Sequence, residues 1–378
     1  MRKFLYNKKL LLYTGYQSVP WGPDSFEASG MGGTETALYN LSKCFCELGY
    51  EVFVVGDVIE GDYNGVKYRS SASMHENYSH LHFQSIIATS YLCFLEEFKK
   101  FSFEKSFLCI HNTGSTGGWW FDWWRGNKLP DGGLPLLKSS ALTNIVCLTE
   151  WHKNIFCESF PEVKDKVKIL GNALDISSLP LVQEKKSLSF VYSSHPERGL
   201  DFLLENWGEL CETLHAITLK ICTLKVCTPD YGIEHFNQCK ERALGSSQEN
   251  LNRVSVDFIG AVSQHELHKI LSTTDYWLYP TTHEETYCIT ALEMQAMRVC
   301  CIASRCAALE NTVSNRGILI GHEGDDEKEF FNQFVSNVAY LENNPDEKQK
   351  LLSRAQEWAH KQSWERRAEE WVNLIEFN

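Results

Sequence analysis

No stretch of the 378 residues is apolar over the length that crosses a bilayer, so no transmembrane helix is expected. The basic start MRKFLYNKK is backed by only a few apolar residues and leads into Leu10-Leu-Leu-Tyr13, so no signal peptide is read there. Zinc-type cysteine spacing is also missing. There are 14 cysteines but no CxxC pair, and Cys44/Cys46 and Cys300/Cys301 lie too close together for a structural site. Cys109, Cys147, Cys222, Cys300 and Cys301 fall inside expected strands and helices, where a free cysteine behaves as a small hydrophobe. The expected setting is therefore reducing and cytoplasmic. No Asp-x-Asp triplet or histidine cluster occurs, so no metal is expected. A GxGxxG fingerprint and a Walker GK[ST] are both absent. The chain is short of bases, with 36 Lys and Arg against 49 Asp and Glu, for a net charge of −13. That argues against a broad nucleic-acid footprint but leaves room for a local basic pocket.

What is present is an alternation of strand and helix signals. Strands are expected at Leu10–Tyr13, Glu51–Gly56, His82–Ser90, Ser106–Asn112, Asn144–Thr149 and Val167–Leu170, with a helix from Thr36 to Leu48 closed by Gly49. The pattern breaks at Asp175–Ser187, and a second run follows. It comprises Leu188–Ser193, a helix from Leu200, Ile217–Cys222, Val256–Ile259, Asp275–Pro280, Val299–Ala303 and Gly317–Ile320. The class is α/β, with two doubly wound domains. Their expected bounds are 1–178 and 179–360, and a charged helical end, 361–378, carries Trp364 and Trp371.

The stretch from His283 to Ala296, HEETYCITALEMQA, follows an apolar strand and turns helical, which is where such sheets place ligands. Glu285 and Glu293 frame it. Eight helical steps would set them about 12 Å apart, too far for an acid/base pair at roughly 5–9.5 Å but suited to the two ends of one long ligand. Glu293 lies among apolar neighbours, and its alternative role is to cap or to pair with an arginine. Arg198, in the turn Ser193–Gly199, offers a fork of donors for a diphosphate, or else sits exposed in a solvated first turn. Gly30-Met-Gly-Gly-Thr-Glu35 opens a helix and is either a phosphate cradle or a tight turn. His111 ends a strand and is either a site residue or an ordinary surface or core histidine. Trp119, Trp120, Trp123 and Trp124 crowd one loop, either as a packing cluster or as a platform for sugar faces.

Taken together these segments resemble the retaining glycosyltransferases of the GT-B fold, group 1 type, over nearly the whole chain. Glu285-x7-Glu293 is similar to that family's E-x7-E signature. The resemblance implies two Rossmann-like domains facing across a cleft, with the acceptor on the first and the nucleotide-sugar donor on the second. It implies that Glu285, Thr286, Tyr287 and Cys288 meet the donor sugar and that Glu293 holds the ribose. It places Gly32, Gly33 and Arg198 at the diphosphate, and His111 near the transferred sugar. Gly171-Asn-Ala-Leu-Asp175 resembles the segment before the family's interdomain linker, and Ser363-Trp-Glu resembles the helix that crosses back. There are departures. His195 is the nearest stand-in for a second basic residue, and Thr286 and Cys288 occupy common glycine positions. The implied activity is metal-independent transfer of a hexose-type sugar to a glycan or other hydroxyl, with no cofactor beyond the donor itself. The alternatives are a nucleotide-sugar epimerase of the same fold and a non-catalytic nucleotide-sugar binder. An NAD-dependent Rossmann enzyme lacks its fingerprint here, with Asp57 the nearest ribose acid.

Overall fold

The computed structural model describes residues 8–16, 19–25, 32–114, 123–124, 127–185, 188–228, 254–321 and 325–377. The chain divides into two compact units, 1–173 with 362–378, and 174–361.

The first unit carries β1 (Lys9–Gly15), β2 (Glu51–Gly56), β3 (Gly61–Tyr63), β4 (Val66–Arg69), β5 (His82–Thr89) and β6 (Ser102–Cys109). It continues with β7 (Trp123–Trp124), β8 (Asn127–Lys128), β9 (Asn144–Cys147) and β10 (Val167–Ile169). Its main sheet runs β10-β9-β6-β5-β1-β2-β4-β3 and is parallel except for the β3–β4 pair. A parallel sheet is covered on both faces, which is why its strands read as unbroken apolar runs such as Leu10-Leu-Leu-Tyr13. The β3–β4 hairpin was not expected. Its turn is Asn64-Gly65, both at positive φ (50° and 84°), the two-residue turn whose twist suits a hairpin.

The last helix, Trp364–Phe377, packs within this first unit. Glu376 receives hydrogen bonds from Lys8 Nζ (2.6 Å) and Tyr50 Oη (2.9 Å), and the Trp371 ring meets Phe107 edge to face at 5.7 Å. Each contact joins residues far apart in sequence, so the helix is held by tertiary packing.

The second unit has six parallel strands: β11 (Leu188–Tyr192), β12 (Cys222–Val226), β13 (Val254–Phe258), β14 (Tyr276–Tyr279), β15 (Cys300–Ser304) and β16 (Ile318–Ile320). Their order is β13-β12-β11-β14-β15-β16. The winding direction therefore reverses between β11 and β14. In such sheets the crevice for a ligand opens at that switch point, beyond the carboxyl ends of the strands.

One expected strand is corrected. Ile217 and Thr218 end a helix, Trp207–Thr218, Leu219 caps it, and β12 begins only at Cys222. Trp207, Leu210, Cys211 and Leu214 form the buried helical stripe, while Ile217 (45 % exposed), Leu219 (80 %) and Ile221 (50 %) face solvent. The alternation of Ile217, Leu219 and Ile221 buries none of the three, so no strand forms over them.

An ion cluster ties this unit's C-terminal helices, Glu327–Asn343 and Pro345–Ala359, to its sheet. Glu342 accepts from Lys348 Nζ (2.7 Å), Lys220 Nζ (2.6 Å) and Tyr276 Oη (2.7 Å), and Lys348 also reaches Asp275 at 3.4 Å. Among the described residues no helix is long and apolar enough to cross a membrane.

Candidate functional site

The turn after β11 and the loop after β14 meet at the switch point. Tyr192 Oη donates to the His195 carbonyl (2.8 Å), and Arg198 N–H donates to the same oxygen (3.0 Å), which shapes the turn. Gly199 follows at φ 102°, and a Cβ there would lie 2.2 Å from the Pro280 carbonyl oxygen. Only glycine permits that backbone to come so close to the end of β14. The close approach delivers Arg198 to Glu285.

Arg198 Nη1 donates to Glu285 Oε1 at 2.8 Å, and Tyr279 Oη donates to the same oxygen at 2.8 Å. Ser194 Oγ lies 3.1 Å from that tyrosine hydroxyl. Burial alone would lower the pKa of Arg198, but Glu285 and Tyr279 outweigh it and raise it. His283 sits beside this pair, and burial first, then the Arg198 charge, push its pKa down. The geometry thus assembles a fixed cation and a carboxylate of which one oxygen is already committed. Tyr279, Ser194 and His283 were not among the expected site residues, because their contacts cross from one strand end to another and follow no sequence spacing.

Thr286, Tyr287 and Cys288 continue the loop from Glu285, with Tyr287 and Cys288 buried. Cys288 holds φ 66°, a left-handed conformation that favours glycine, and precedes the helix Ile289–Ala296. Only the end of the Glu285–Glu293 interval is therefore helical, and the 12 Å estimate from eight helical steps does not apply. Glu293 is 4 % exposed. Its partners are not arginines: Gln264 Nε2 (2.8 Å) and His268 Nε2 (3.2 Å) both meet its Oε1.

The remaining expected residues belong to the first unit. Gly32 caps the helix Gly33–Glu47, where a Cβ at Gly32 would lie 2.6 Å from Glu35 Oε2. The Glu35 carboxylate thus folds against the helix's positive end. His111 follows β6 and places Nε2 3.4 Å from Cys109 Sγ. Burial, with His152 adding to it, pushes its pKa down to about 3, so the imidazole is neutral at pH 7. His152 accepts at Nδ1 from Leu148 N–H (3.2 Å), which leaves Nε2 to donate to the Asn112 carbonyl (3.0 Å) and pins the segment after His111. His111 also lines a void of ≈ 20 Å³ with Thr89, Asn172, Trp364 and Trp371, about the room one water needs. Trp119 and Trp120 lie outside the described residues. Trp123 and Trp124 form β7, paired with β8, and their side chains are likewise outside the description. Among the described residues no group of three His, Cys, Asp or Glu could hold a metal ion.

Residues 185–338, most of the second unit, match the family model for glycosyl transferases group 1. Comparison by sequence with curated proteins finds no match. Among solved structures, a glycosyltransferase from Rickettsia africae ESF-5 is similar with a TM-score of 0.73 and 12 % identity, covering 98 % of each chain. Sucrose-phosphate synthase from Thermosynechococcus elongatus has a TM-score of 0.71 and 14 % identity, covering 97 % of this chain and 98 % of its own. HepE from Anabaena, solved in complex with UDP and glucose, has a TM-score of 0.66 and 12 % identity, covering 97 % of this chain and 99 % of its own. At these identities the likeness is one of fold, the two-domain GT-B architecture with parallel sheets.

Proposed function

We propose that this chain is a glycosyltransferase that moves a hexose-type sugar from a nucleotide-diphosphate sugar to a hydroxyl of a glycan or other acceptor. Transfer proceeds with retention of configuration and without a metal. The observation that carries the reading is the Arg198–Glu285 pair at the switch point, inside the segment that matches the group 1 model. As the glycosidic bond breaks, the electron pair leaves with the diphosphate, and the developing charge needs fixed donors rather than mobile water. Arg198, always charged and forked, supplies them. Glu285 and the backbone of Thr286, Tyr287 and Cys288 hold the sugar, and Glu293 holds the ribose. Gly32, Gly33 and neutral His111 are assigned to the phosphates and the transferred sugar by resemblance, as Trp119, Trp120, Trp123 and Trp124 are to the acceptor. The UDP and glucose in the HepE structure make a uridine donor the first to try.

The test is a thermal-shift screen of UDP-, GDP- and ADP-sugars, followed by an assay for transfer. A donor at about a hundredfold its dissociation constant adds about 2.7 kcal/mol of stability. A shift with transfer supports the reading. A shift with sugar isomerisation and no transfer makes it an epimerase, and a shift without turnover makes it a binder. No shift with any nucleoside diphosphate overturns it.

A further inference from the structure

We propose that Gln264 and His268 are positioning residues that reserve one oxygen of Glu293 for a ribose hydroxyl and so make the chain selective for ribonucleotides over deoxyribonucleotides. This rests on the nucleotide-sugar reading above and goes beyond it, since neither residue lies in the stretch from His283 to Ala296 that carries the two glutamates.

A carboxylate offers about four lone-pair sites on its two oxygens. Both donors that reach Glu293 meet the same oxygen, Oε1, at 2.8 and 3.2 Å. Among the described residues Oε2 accepts no hydrogen bond, and no lysine or arginine pairs with the group. Glu293 is 4 % exposed, yet its Oε2 is not among the buried polar atoms left without a partner, so that oxygen is the one within reach of a ligand. Here the two donors hold one oxygen and leave the other open, which suits a hydroxyl-bearing ligand.

The local structure explains why both donors converge. Gln264 and His268 are four residues apart on the helix Gln264–Leu271 and therefore share a face. Ser263 Oγ caps that helix by accepting from Glu266 N–H at 3.3 Å, which fixes where it starts. His268 is buried and Gln264 partly so, giving one donor a fixed orientation and the other some access to the ligand side. Rotation of Glu293 about its last torsion would break both bonds at once. The vacant Oε2 is thereby aimed rather than free to swing, and a ribose hydroxyl can meet it without first displacing a protein donor.

The experiment measures calorimetric affinities of the full chain for UDP, GDP and ADP and for their 2′-deoxy and 3′-deoxy forms. The variants are His268→Phe, which fills the space without a donor, His268→Gln, which keeps one, and Gln264→Met. Wild type should prefer the best-bound ribonucleotide over at least one of its deoxy forms by about tenfold or more. In His268→Phe that ratio should fall toward one, and in His268→Gln it should largely return. A merely structural histidine would weaken both forms equally and leave the ratio alone. If His268→Phe does not fold, Gln264→Met, at a partly exposed position, must show the same loss of ratio. An unchanged ratio in the folded variants, or equal wild-type binding of ribo and deoxy forms, overturns the inference while the donor reading stands. If no nucleotide binds wild type, both fall.

Discussion

Arg198 Nη1 lies 2.8 Å from Glu285 Oε1, so the first and fourth strands of one sheet are joined by an ion pair at the point where their winding reverses. Neither residue is fully exposed, and the Tyr279 hydroxyl shares the same oxygen. The pair is a preformed arrangement, and it makes the arginine's role separable from that of its neighbours.

Arg198→Ala is expected to weaken a nucleoside diphosphate by about tenfold or more while leaving the bare nucleoside nearly unchanged. Arg198→Lys keeps the charge but loses the fork, and should fall between the two. Titration calorimetry with nucleoside and diphosphate in parallel decides it. Equal losses for both ligands would mean that Arg198 positions something other than phosphate.

Glu342 controls an acid limb of stability. Its burial favours the protonated form, but hydrogen bonds from Lys220, Lys348 and Tyr276 outweigh this and hold its pKa at about 2. An unfolded glutamate titrates near 4.3. The unfolded chain therefore takes up the proton first as the solution is acidified. The stabilisation is complete above about pH 4.5 and is lost as pH falls toward about 2. It amounts to on the order of 3 kcal/mol. Glu342→Gln should lower the melting temperature at pH 7, and its gap to wild type should narrow from pH 5 to pH 2.5. A gap that stays constant across that range would show that the carboxylate's charge is not what stabilises.

Leu219 ends its helix at φ 59° with its side chain 80 % exposed. A left-handed conformation costs a non-glycine residue about 1–2 kcal/mol, against roughly 0.4–1 kcal/mol for the greater freedom of glycine when unfolded. Leu219→Gly should therefore stabilise by roughly 0.5 kcal/mol, which raises the melting temperature by about one or two degrees. Calorimetry that finds a fall instead would mean the leucine makes a contact worth more than its strain.

The same residue marks where the sequence misleads. Ile217, Leu219 and Ile221 alternate with polar residues as a half-buried strand does, yet all three face solvent, because Ile217 ends a helix that buries Trp207, Leu210 and Leu214, and Leu219 and Ile221 lie in the connection before Cys222. The hairpin at Asn64-Gly65 carries its signal in the turn dipeptide, but its strands are too short and polar to stand out by hydrophobic pattern. The long apolar strands were readable because a sheet covered on both faces leaves no polar alternation to confuse them. The spacing of the two glutamates misjudges their separation, since the helix between them begins only at Ile289. The side chains that donate to them are not legible either, since Tyr279 to Glu285 and His268 to Glu293 are contacts made by the folded sheet and its helices.

The helix Trp364–Phe377 closes the first unit after the whole of the second has been threaded through it in sequence. On the ribosome, residues 174–361 emerge as one uninterrupted stretch and can collapse as soon as they clear the exit tunnel. The first unit is translated earlier, but its closing helix is made last. Until Trp371 reaches Phe107, the surface that helix covers stays open to the solvent, and that interval is when a chaperone would have something to hold.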